Sequence, residues 1–278
     1  MADNPDGLVS IDALRRANEA AWDEVAAKYA DELAGDVERL RSGAPVLHPA
    51  EAEALAPLLA TAPMIVHLQC SHGTDALALW RGGARAVVGL DVSRAMLALA
   101  TRKAAILDAP ARWIHADVLA PPPDLMGTAD IVYTGKGALP WVLDLTRWAQ
   151  VVTGLLRPGG WLVVFDGHPL TSLWDPEAPT LRLRSDADYF ARAPRRNIDF
   201  PASYLADAAH AANRTPLPVF ERVWTLGAIV SSVAEAGLEV RRLSEHAEHF
   251  WPQFPDVPSD QLRRVPQTFL LLAQRPLA

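Results

Sequence analysis

Three turns, each directly after a short apolar run, carry residues that suit the binding of a nucleotide-type ligand. The run that ends at Leu68 is followed by a turn containing Gly73, and Thr74 and Asp75 then open a helical pattern. A glycine turn lets the backbone N–H groups of a helix N-terminus approach a ligand closely. A plain connection between a strand and a helix has the same sequence pattern, so the turn alone does not decide between them.

Aspartates follow the next two apolar runs. Asp91 stands eighteen residues after Gly73, where doubly wound folds present a carboxylate to the two hydroxyls of a ribose. The alternative is that Asp91 caps the helix beginning near Ser93. Asp117 follows the third run, where it could accept a hydrogen bond from the amino group of a purine, or else cap a short turn before Pro121.

Histidines are the main candidates for proton transfer. His168, in the segment DGHP just past the fifth apolar run, lies where a substrate would sit and is either a general base or a structural residue. His246 and His249 have a spacing that could ligate a metal on a helix, but no third ligand is evident, so we expect no metal site. Arg192, Arg195 and Arg196 form a basic turn that could meet an anion or simply be solvated.

Aromatic side chains are concentrated in two segments, residues 167–223 and 245–258. They could wall an apolar pocket for a flat substrate, or they could form the core of the segments themselves. The candidate pocket residues are Trp22, Trp174, Tyr189, Tyr204 and Trp251.

Short branched, apolar runs alternate with helical patterns through the middle of the chain, which predicts βαβ units and a parallel sheet. We expect the first helices over residues 10–34, with Ser10 as N-cap, and 49–59. Strands are predicted over 64–68, 86–90, 112–115, 131–134, 161–165, 238–243 and 268–273. Further helices are predicted over 74–81, 93–106, about 141–155 and about 225–236, with Gly237 as the stop of the last one.

The alternation divides the chain into four parts. Residues 1–60 are interpreted as a helical cover and 61–166 as a cofactor-binding half of Rossmann type. Residues 167–223 interrupt the alternation with a segment rich in proline, arginine and aromatic residues, which is interpreted as an inserted lid because a structureless loop of that length is unusual. Residues 224–278 complete the Rossmann-like domain.

Composition narrows the class of protein. The 278 residues are 50% hydrophobic and 21% charged, as in globular domains, and the net charge of −7 argues against nonspecific nucleic-acid binding. No apolar run is long enough to span a membrane, and the acidic N-terminus has no signal-peptide pattern, so a cytoplasmic location is expected. A single cysteine, Cys70, agrees with a reducing compartment. A monomer and a homodimer are both compatible with the sequence.

The order LQCSHGTDAL, GLDVSRAML, HADV and ADIVYTGKGALP, followed by LRPGGWLVVFDGHP, resembles the class I S-adenosylmethionine-dependent methyltransferases, in particular a bacterial group that acts on small molecules. The resemblance implies a mostly parallel seven-stranded α/β sheet with an antiparallel last strand and S-adenosylmethionine as cofactor. It implies that residues 68–75 form the cofactor turn, that Asp91 holds the ribose and that Tyr29 and Trp22 cover the ligand. The cofactor residues it implies are Tyr29, Leu68, Gln69, Cys70, Ser71, Gly73, Asp91, Val92, Asp117, Val118, Thr134 and Gly135.

The turn departs from the usual family pattern of one acidic residue and three glycines. His67, Gln69 and Ser71 occupy the first three positions, and only Gly73 remains. We expect methyl transfer to an oxygen or nitrogen of a small, aromatic or heterocyclic molecule of secondary metabolism, with His168 as the catalytic candidate. The alternatives are an NAD(P)-dependent oxidoreductase, which Gly73 and Asp91 alone would also serve, and a methyltransferase-like binding subunit without catalysis.

Overall fold

A seven-stranded sheet forms the centre of the protein in the computed structural model, which describes residues 10–197, 200 and 217–277. The strands are β1 (Met64–Leu68), β2 (Ala86–Asp91), β3 (Ala111–His115), β4 (Ala129–Gly135), β5 (Leu156–Gly167), β8 (Glu239–His246) and β9 (Thr268–Gln274). Their order in the sheet is β3-β2-β1-β4-β5-β9-β8, with β1 to β5 parallel and β9 antiparallel to both of its neighbours. The expected topology is therefore confirmed.

Seven α-helices occur among the described residues, in addition to three short 3₁₀ helices. They are α1 (Ile11–Ser42), α2 (Pro49–Leu59), α3 (Thr74–Arg81), α4 (Arg94–Leu107), α5 (Leu145–Leu155), α6 (Leu226–Glu235) and α7 (Ser259–Leu262). Side chains cap most of their N-termini, as expected at Ser10, whose hydroxyl accepts the N–H of Ala13. The 3₁₀ helices are Pro123–Leu125, Leu139–Trp141 and Pro169–Leu173.

Helices cover both faces of the sheet. On one face, α5 and α6 pack on a cluster that includes Val66, Leu90 and Val164. On the other face, α2 and α3 pack on a cluster that includes Ile65 and Phe165. These strand residues alternate in register, so the buried runs in the sequence serve both layers at once.

Helix α1 extends eight residues beyond the predicted end at residue 34. Leu33, Val37 and Leu40 continue its apolar stripe, and Gly43 ends it in the left-handed conformation that a C-terminal glycine favours. The stripe packs mainly on α4, so the longer helix is stabilised by tertiary contact as well as by its own propensity.

The described part of the insertion contains a separate two-stranded sheet. Strands β6 (Arg195–Asn197) and β7 (Val219–Glu221) pair in antiparallel fashion. The side-chain amide of Asn18 in α1 bonds both backbone groups of Phe220 at 2.8 Å. The insertion is thereby attached to the N-terminal helix. The division into four domains stays a prediction, and Tyr204 lies outside the described residues.

None of the helices in the described ranges combines the length and the apolar character that crossing a bilayer requires.

Candidate active site

The turn between β1 and α3 keeps a glycine-type backbone although only one of the three glycines of the usual pattern remains. Gln69 has φ +56°, Ser71 has φ +49° and Gly73 has φ +78°, so all three positions are left-handed. That conformation costs an ordinary residue about 1 to 2 kcal/mol, and such strain persists only where the surroundings enforce it. The turn therefore has a left-handed backbone at each of the three positions where the usual family pattern has glycine.

Gly73 also has a packing reason to lack a side chain. A Cβ there would lie 2.6 Å from the Cβ of Ala100 and 2.7 Å from the ring of Trp113. Any larger residue at this position would push the start of α3 away from α4. Leu68 and Cys70, on either side of Gln69, are buried, so they can offer a ligand only backbone groups.

Asp91 links the β1–α3 turn to the turn between β2 and α4 through hydrogen bonds. Its carboxylate accepts the N–H of Ser71 at 2.7 Å and the N–H of Ser93 at 2.9 Å. Burial raises the pKa of Asp91 above its usual value, while the two amides oppose the rise. Helix α4 is capped by Ser93, whose hydroxyl accepts the N–H of Met96, so the cap is not Asp91 itself. The carboxylate lies at the carboxyl end of β2, at the same edge of the sheet as the β1–α3 turn.

Helix α1 runs across this edge. Asp23 accepts the hydroxyl of Ser93 at 2.6 Å, and Arg15 lies 3.3 Å from Asp117. Asp117 also accepts the N–H of Leu119, which is the local turn cap considered as the alternative to a ligand contact. The carbonyl of Val92 accepts from His115 at 2.8 Å, and Val118 is buried in the core.

The end of β4 borders the turn from the other side. The amide of Gln69 donates to the carbonyl of Ala138 at 2.9 Å, but its oxygen is buried without a partner among the described residues, as is the hydroxyl of Thr134. Any Cβ on Gly135 would lie 2.4 Å from the carbonyl oxygen of Phe165. Two orphaned polar atoms beside a glycine turn are consistent with a polar ligand that completes them.

Asp166 fixes the loop after β4, and sequence reasoning did not single it out. Its buried carboxylate accepts the backbone N–H groups of Gly137, Leu139 and Gly167. Burial raises its pKa to about 6, with the amides opposing the rise. The segment DG before His168 was the available signal, because an aspartate at a strand end often accepts backbone amides.

A buried polar cluster joins α1 to the start of α3. Lys103 donates to Asp36 and at 2.7 Å to Thr74, and Thr74 donates to Asp36 at 2.8 Å. Burial opposes the ionisation of Asp36, but Lys103 and its other donors lower the pKa of Asp36 to about 2. Tyr29 stacks on His72 with ring centroids 4.6 Å apart, so its ring lies beside the turn, and its role as a cover of the ligand stays a prediction.

Both ring nitrogens of His168 have a polar neighbour, although the contact of Nε2 does not have hydrogen-bond geometry. Its Nδ1 accepts the N–H of Leu170 at 3.2 Å and caps the 3₁₀ helix, while its Nε2 lies 2.9 Å from Glu245. Burial lowers its pKa, and Glu245 acts in the opposite direction. These contacts favour the structural alternative over a general base, because no ring nitrogen is left facing open space.

The four predicted pocket aromatics that lie within the described residues do not form one group. Trp22 packs edge-on against Trp141 and Phe200, at 5.1 and 5.4 Å between ring centroids. Tyr189 accepts the N–H of Leu226 at the start of α6. Trp174 forms a bridge with Leu183, and Trp251 lies beside Phe250 in a separate cavity.

That cavity has a volume of about 240 Å³ and is lined by residues 46–48, Lys136 and residues 249–251. We call it the Lys136 cavity. Behind it, Lys136 donates to Asp75 at 2.7 Å and lies 3.7 Å from Glu51, which accepts the hydroxyl of Tyr133. The unusual features of this segment in the sequence were the scarcity of lysine and the Gly135–Lys136–Gly137 run.

No group of three or more histidine, cysteine, aspartate or glutamate side chains in the described part of the chain is arranged to hold a metal ion.

Comparison with known proteins points to one kind of domain. Residues 65–160 match the family model described as a methyltransferase domain. That segment contains the β1–α3 turn, Asp91, Asp117 and the end of β4. A comparison with curated proteins finds no match.

Solved structures share the fold. A Listeria monocytogenes protein named as a candidate S-adenosylmethionine-dependent methyltransferase is 17% identical, with a TM-score of 0.60 over 82% of this chain and 99% of its own. An S-adenosylmethionine-dependent methyltransferase from Mesorhizobium loti is 24% identical, with a TM-score of 0.56 over 81% and 100%. A geranyl diphosphate C-methyltransferase from Streptomyces coelicolor A3(2), solved with S-adenosyl-L-homocysteine, is 17% identical, with a TM-score of 0.51 over 80% and 76%.

Residues 65–160 thus match a methyltransferase domain, and the described chain has the fold of class I S-adenosylmethionine-dependent methyltransferases.

Proposed function

We propose that the protein transfers the methyl group of S-adenosylmethionine to an oxygen or nitrogen atom of a small aromatic or heterocyclic molecule. The observation that carries the proposal is the β1–α3 turn, which holds Gln69 and Ser71 in left-handed conformations next to the buried carboxylate of Asp91. A chain with no ligand to hold would gain stability by relaxing such a turn, since each strained residue costs free energy.

The residues of the turn suit an adenosyl ligand. Asp91 would accept from the ribose hydroxyls with the lone pairs that Ser71 and Ser93 leave open. Asp117 and Val118 would border the adenine, and the unsatisfied atoms of Gln69 and Thr134 would meet polar groups of the methionine part.

Methyl transfer from the sulfonium of the bound cofactor is an in-line displacement. The chain's task is to align the acceptor atom with the methyl group and to exclude water. The partly buried rings of Trp22 and Trp141 and the aromatic wall of the Lys136 cavity both offer flat apolar surface. This surface is the support for an aromatic acceptor.

His168 is retained as a candidate residue of the acceptor side, in a positioning role. It anchors the 3₁₀ helix Pro169–Leu173, which starts directly at the end of β5. By fixing that helix, His168 would orient the first part of the insertion (residues 167–223) relative to the site. A proton could leave an oxygen or nitrogen acceptor to solvent, so the reaction does not require an enzyme base in every case.

The test is a methylation screen. The purified chain is incubated with S-adenosylmethionine and a panel of phenols, aromatic acids and nitrogen heterocycles. Mass spectrometry should find one acceptor heavier by one methylene unit, with S-adenosylhomocysteine released in equal amount.

The two alternatives give different results. Cofactor binding with no methylated product from the panel or from a cell extract would support the non-catalytic binding subunit. Binding of NADH, detected by its fluorescence, in a protein that ignores S-adenosylhomocysteine would support the oxidoreductase.

A further inference from the structure

The Lys136 cavity is built from three separate segments that meet beyond the carboxyl ends of β4 and β5. His48 comes from the loop before α2, Lys136 follows β4, and His249, Phe250 and Trp251 follow β8. The His249 side of the cavity lies close to the end of β5, because a Cβ on Gly167 would lie 3.8 Å from the Nε2 of His249. The cavity therefore borders the edge of the sheet that carries the proposed site.

Backbone contacts define the tautomer of both histidines. The Nδ1 of His48 accepts the N–H of Ala50, and the Nδ1 of His249 accepts the N–H of Trp251, each at 3.3 Å. A neutral ring whose Nδ1 accepts must carry its proton on Nε2. Burial lowers the pKa of His249 to about 4 and, together with His246, lowers that of His48, so both rings are neutral N–H donors near pH 7.

Lys136 contributes a third donor. Its ammonium donates to Asp75 and to the carbonyl of Val46 at 3.3 Å, and its third N–H, with Glu51 3.7 Å away, makes no hydrogen bond to the described residues. Burial favours the neutral amine, but Asp75 and Glu51 outweigh it and raise the pKa of Lys136. Both carboxylates lie behind the ammonium and neither lines the cavity.

The polar side chains that line the cavity are thus all donors, and the remaining wall is aromatic. Phe250 and Trp251 meet edge-on at 4.2 Å, and His48 stacks on Phe165 at 4.9 Å. The volume of about 240 Å³ lies below the range of about 300 to 1,000 Å³ that is typical of pockets for drug-sized ligands. It suits a single flat ring that bears an acceptor-only group.

We propose that the Lys136 cavity binds the carboxylate of a small molecule, with His48, His249 and Lys136 donating to its oxygens and the aromatic residues contacting the adjacent apolar part. The assignment rests on the proposed function, because it names the substrate class of that site as an aromatic acid. A carboxylate occurs also on the methionine part of the cofactor, so the test separates the two sources.

The experiment is a calorimetric titration with benzoate, and with benzamide as the uncharged probe of the same shape. We expect benzoate to bind at least tenfold more tightly than benzamide. His249→Phe, which keeps the ring and removes the donor, should weaken benzoate binding at least fivefold. His48→Asn should do the same while keeping an N-cap for α2.

The control is His246→Phe, a neighbouring histidine that does not line the cavity, and it should leave benzoate affinity within twofold. Thermal melting of each variant shows that it is folded. Equal binding of benzoate and benzamide, or benzoate binding that both cavity variants leave unchanged, would overturn the proposal.

A second arm identifies the source of the carboxylate. If the acceptor supplies it, benzoate binds equally well to protein saturated with S-adenosylhomocysteine. If the cofactor supplies it, S-adenosylhomocysteine displaces benzoate, and His249→Phe weakens S-adenosylhomocysteine but not 5′-methylthioadenosine, which has no amino acid part. That result would overturn the assignment of the cavity to an aromatic acid substrate. A protein that binds benzoate as described but neither adenosyl ligand would refute the proposed function and leave this site standing.

Discussion

At the scale of single residues, the β1–α3 turn has a backbone conformation typical of glycine at positions that other residue types occupy. Gln69 and Ser71 keep left-handed φ angles at positions where the usual pattern has glycine. The strain is held by the bond from the Ser71 N–H to Asp91 and by the amide of Gln69 on Ala138. A pattern search that requires three glycines would miss this turn, although its shape is intact.

Ser71 offers a matched pair of substitutions. Ser71→Gly removes the left-handed strain but adds freedom to the unfolded chain, so we expect stability between unchanged and about 1 kcal/mol higher, with S-adenosylhomocysteine affinity retained. Ser71→Val places a β-branched residue at φ +49° and should lower both. Denaturant unfolding and calorimetry measure the two effects. A valine variant as stable and as competent as the parent would show that the turn has another conformation in solution.

The role of His168 can be assigned by comparing the effects of a substitution on turnover and on thermal stability. His168→Gln removes the contact to Glu245 and weakens the cap of Pro169–Leu173, so we expect a lower melting temperature and turnover within about tenfold of the parent. A general base would instead lose roughly a hundredfold or more in turnover with little change in melting. That second pattern would restore the catalytic interpretation.

At the scale of secondary-structure elements, α1 is fixed to the cofactor turn by buried charge. Lys103 in α4 and Asp36 in α1 are both almost fully buried, and Thr74 at the start of α3 bonds to each of them. One ion pair thus connects three helices directly behind Gly73. Helix α1 and the turn are expected to move together.

Breaking this pair from one side should be costly. Lys103→Met leaves the Asp36 carboxylate buried without its main partner, and we expect a loss of about 3 to 5 kcal/mol in unfolding free energy. Adding Asp36→Asn should recover part of the loss because the uncompensated charge is gone. Arg102→Met, on the exposed side of the same helix, is the matched control and should stay within about 0.5 kcal/mol. Equal stability of all three variants in urea would mean that the pair contributes nothing.

The elements themselves could be predicted from the sequence wherever a buried run has clear ends. Met64–Leu68, Pro49–Leu59 and Thr74–Arg81 have the predicted bounds because proline, glycine or a capping residue stands at their ends. β5 begins at Leu156, five residues before its predicted start. Leu156 pairs with Ala129 across an irregularity in register, and the backbones of Gly159 and Gly160 bond that of Arg275, although glycine and proline do not favour strands. The start of β5 is therefore set by its neighbours in the fold, and the local sequence pattern contains no information about them.

At the scale of the whole molecule, the buried ionisable groups on the α2 side of the sheet link stability to pH. Burial raises the pKa of Glu51 to about 7, while Lys136 opposes the rise. In the unfolded chain Glu51 ionises near 4.5, so between pH 4.5 and 7 the folded state binds more protons. Its contribution to stability therefore falls as the pH rises through this interval and is constant above it.

Glu51→Gln should isolate that effect. The stability of the variant relative to the parent should rise between pH 5 and pH 8 by about 1 to 3 kcal/mol, at about 1.4 kcal/mol per unit of pKa shift. Glu53→Gln, exposed on the same helix, should show no such trend. Urea unfolding at several pH values measures it, and a constant difference for Glu51→Gln would place the ionisation of Glu51 near its ordinary range.

The candidate site was predictable to the extent that it follows strand ends. Gly73, Asp91 and Asp117 could be placed at one edge because parallel strands end together. His48, Lys136 and His249 could not be grouped, because they meet only through the packing of three distant loops, and no local spacing links them. The same reason separates Tyr189 from Trp251, which composition alone had put in one pocket.

The proposed function depends most on an adenosyl ligand at the β1–α3 turn, and calorimetric titration with S-adenosylhomocysteine tests that ligand most directly. We expect micromolar binding, about 8 kcal/mol, and a loss of about 1 to 3 kcal/mol in Asp91→Asn through its hydrogen bonds to the ribose. Asp124→Asn, an exposed carboxylate paired with Arg112, should bind like the parent. A folded protein that does not bind the ligand, or an Asp91→Asn variant that binds it equally well, would contradict the account.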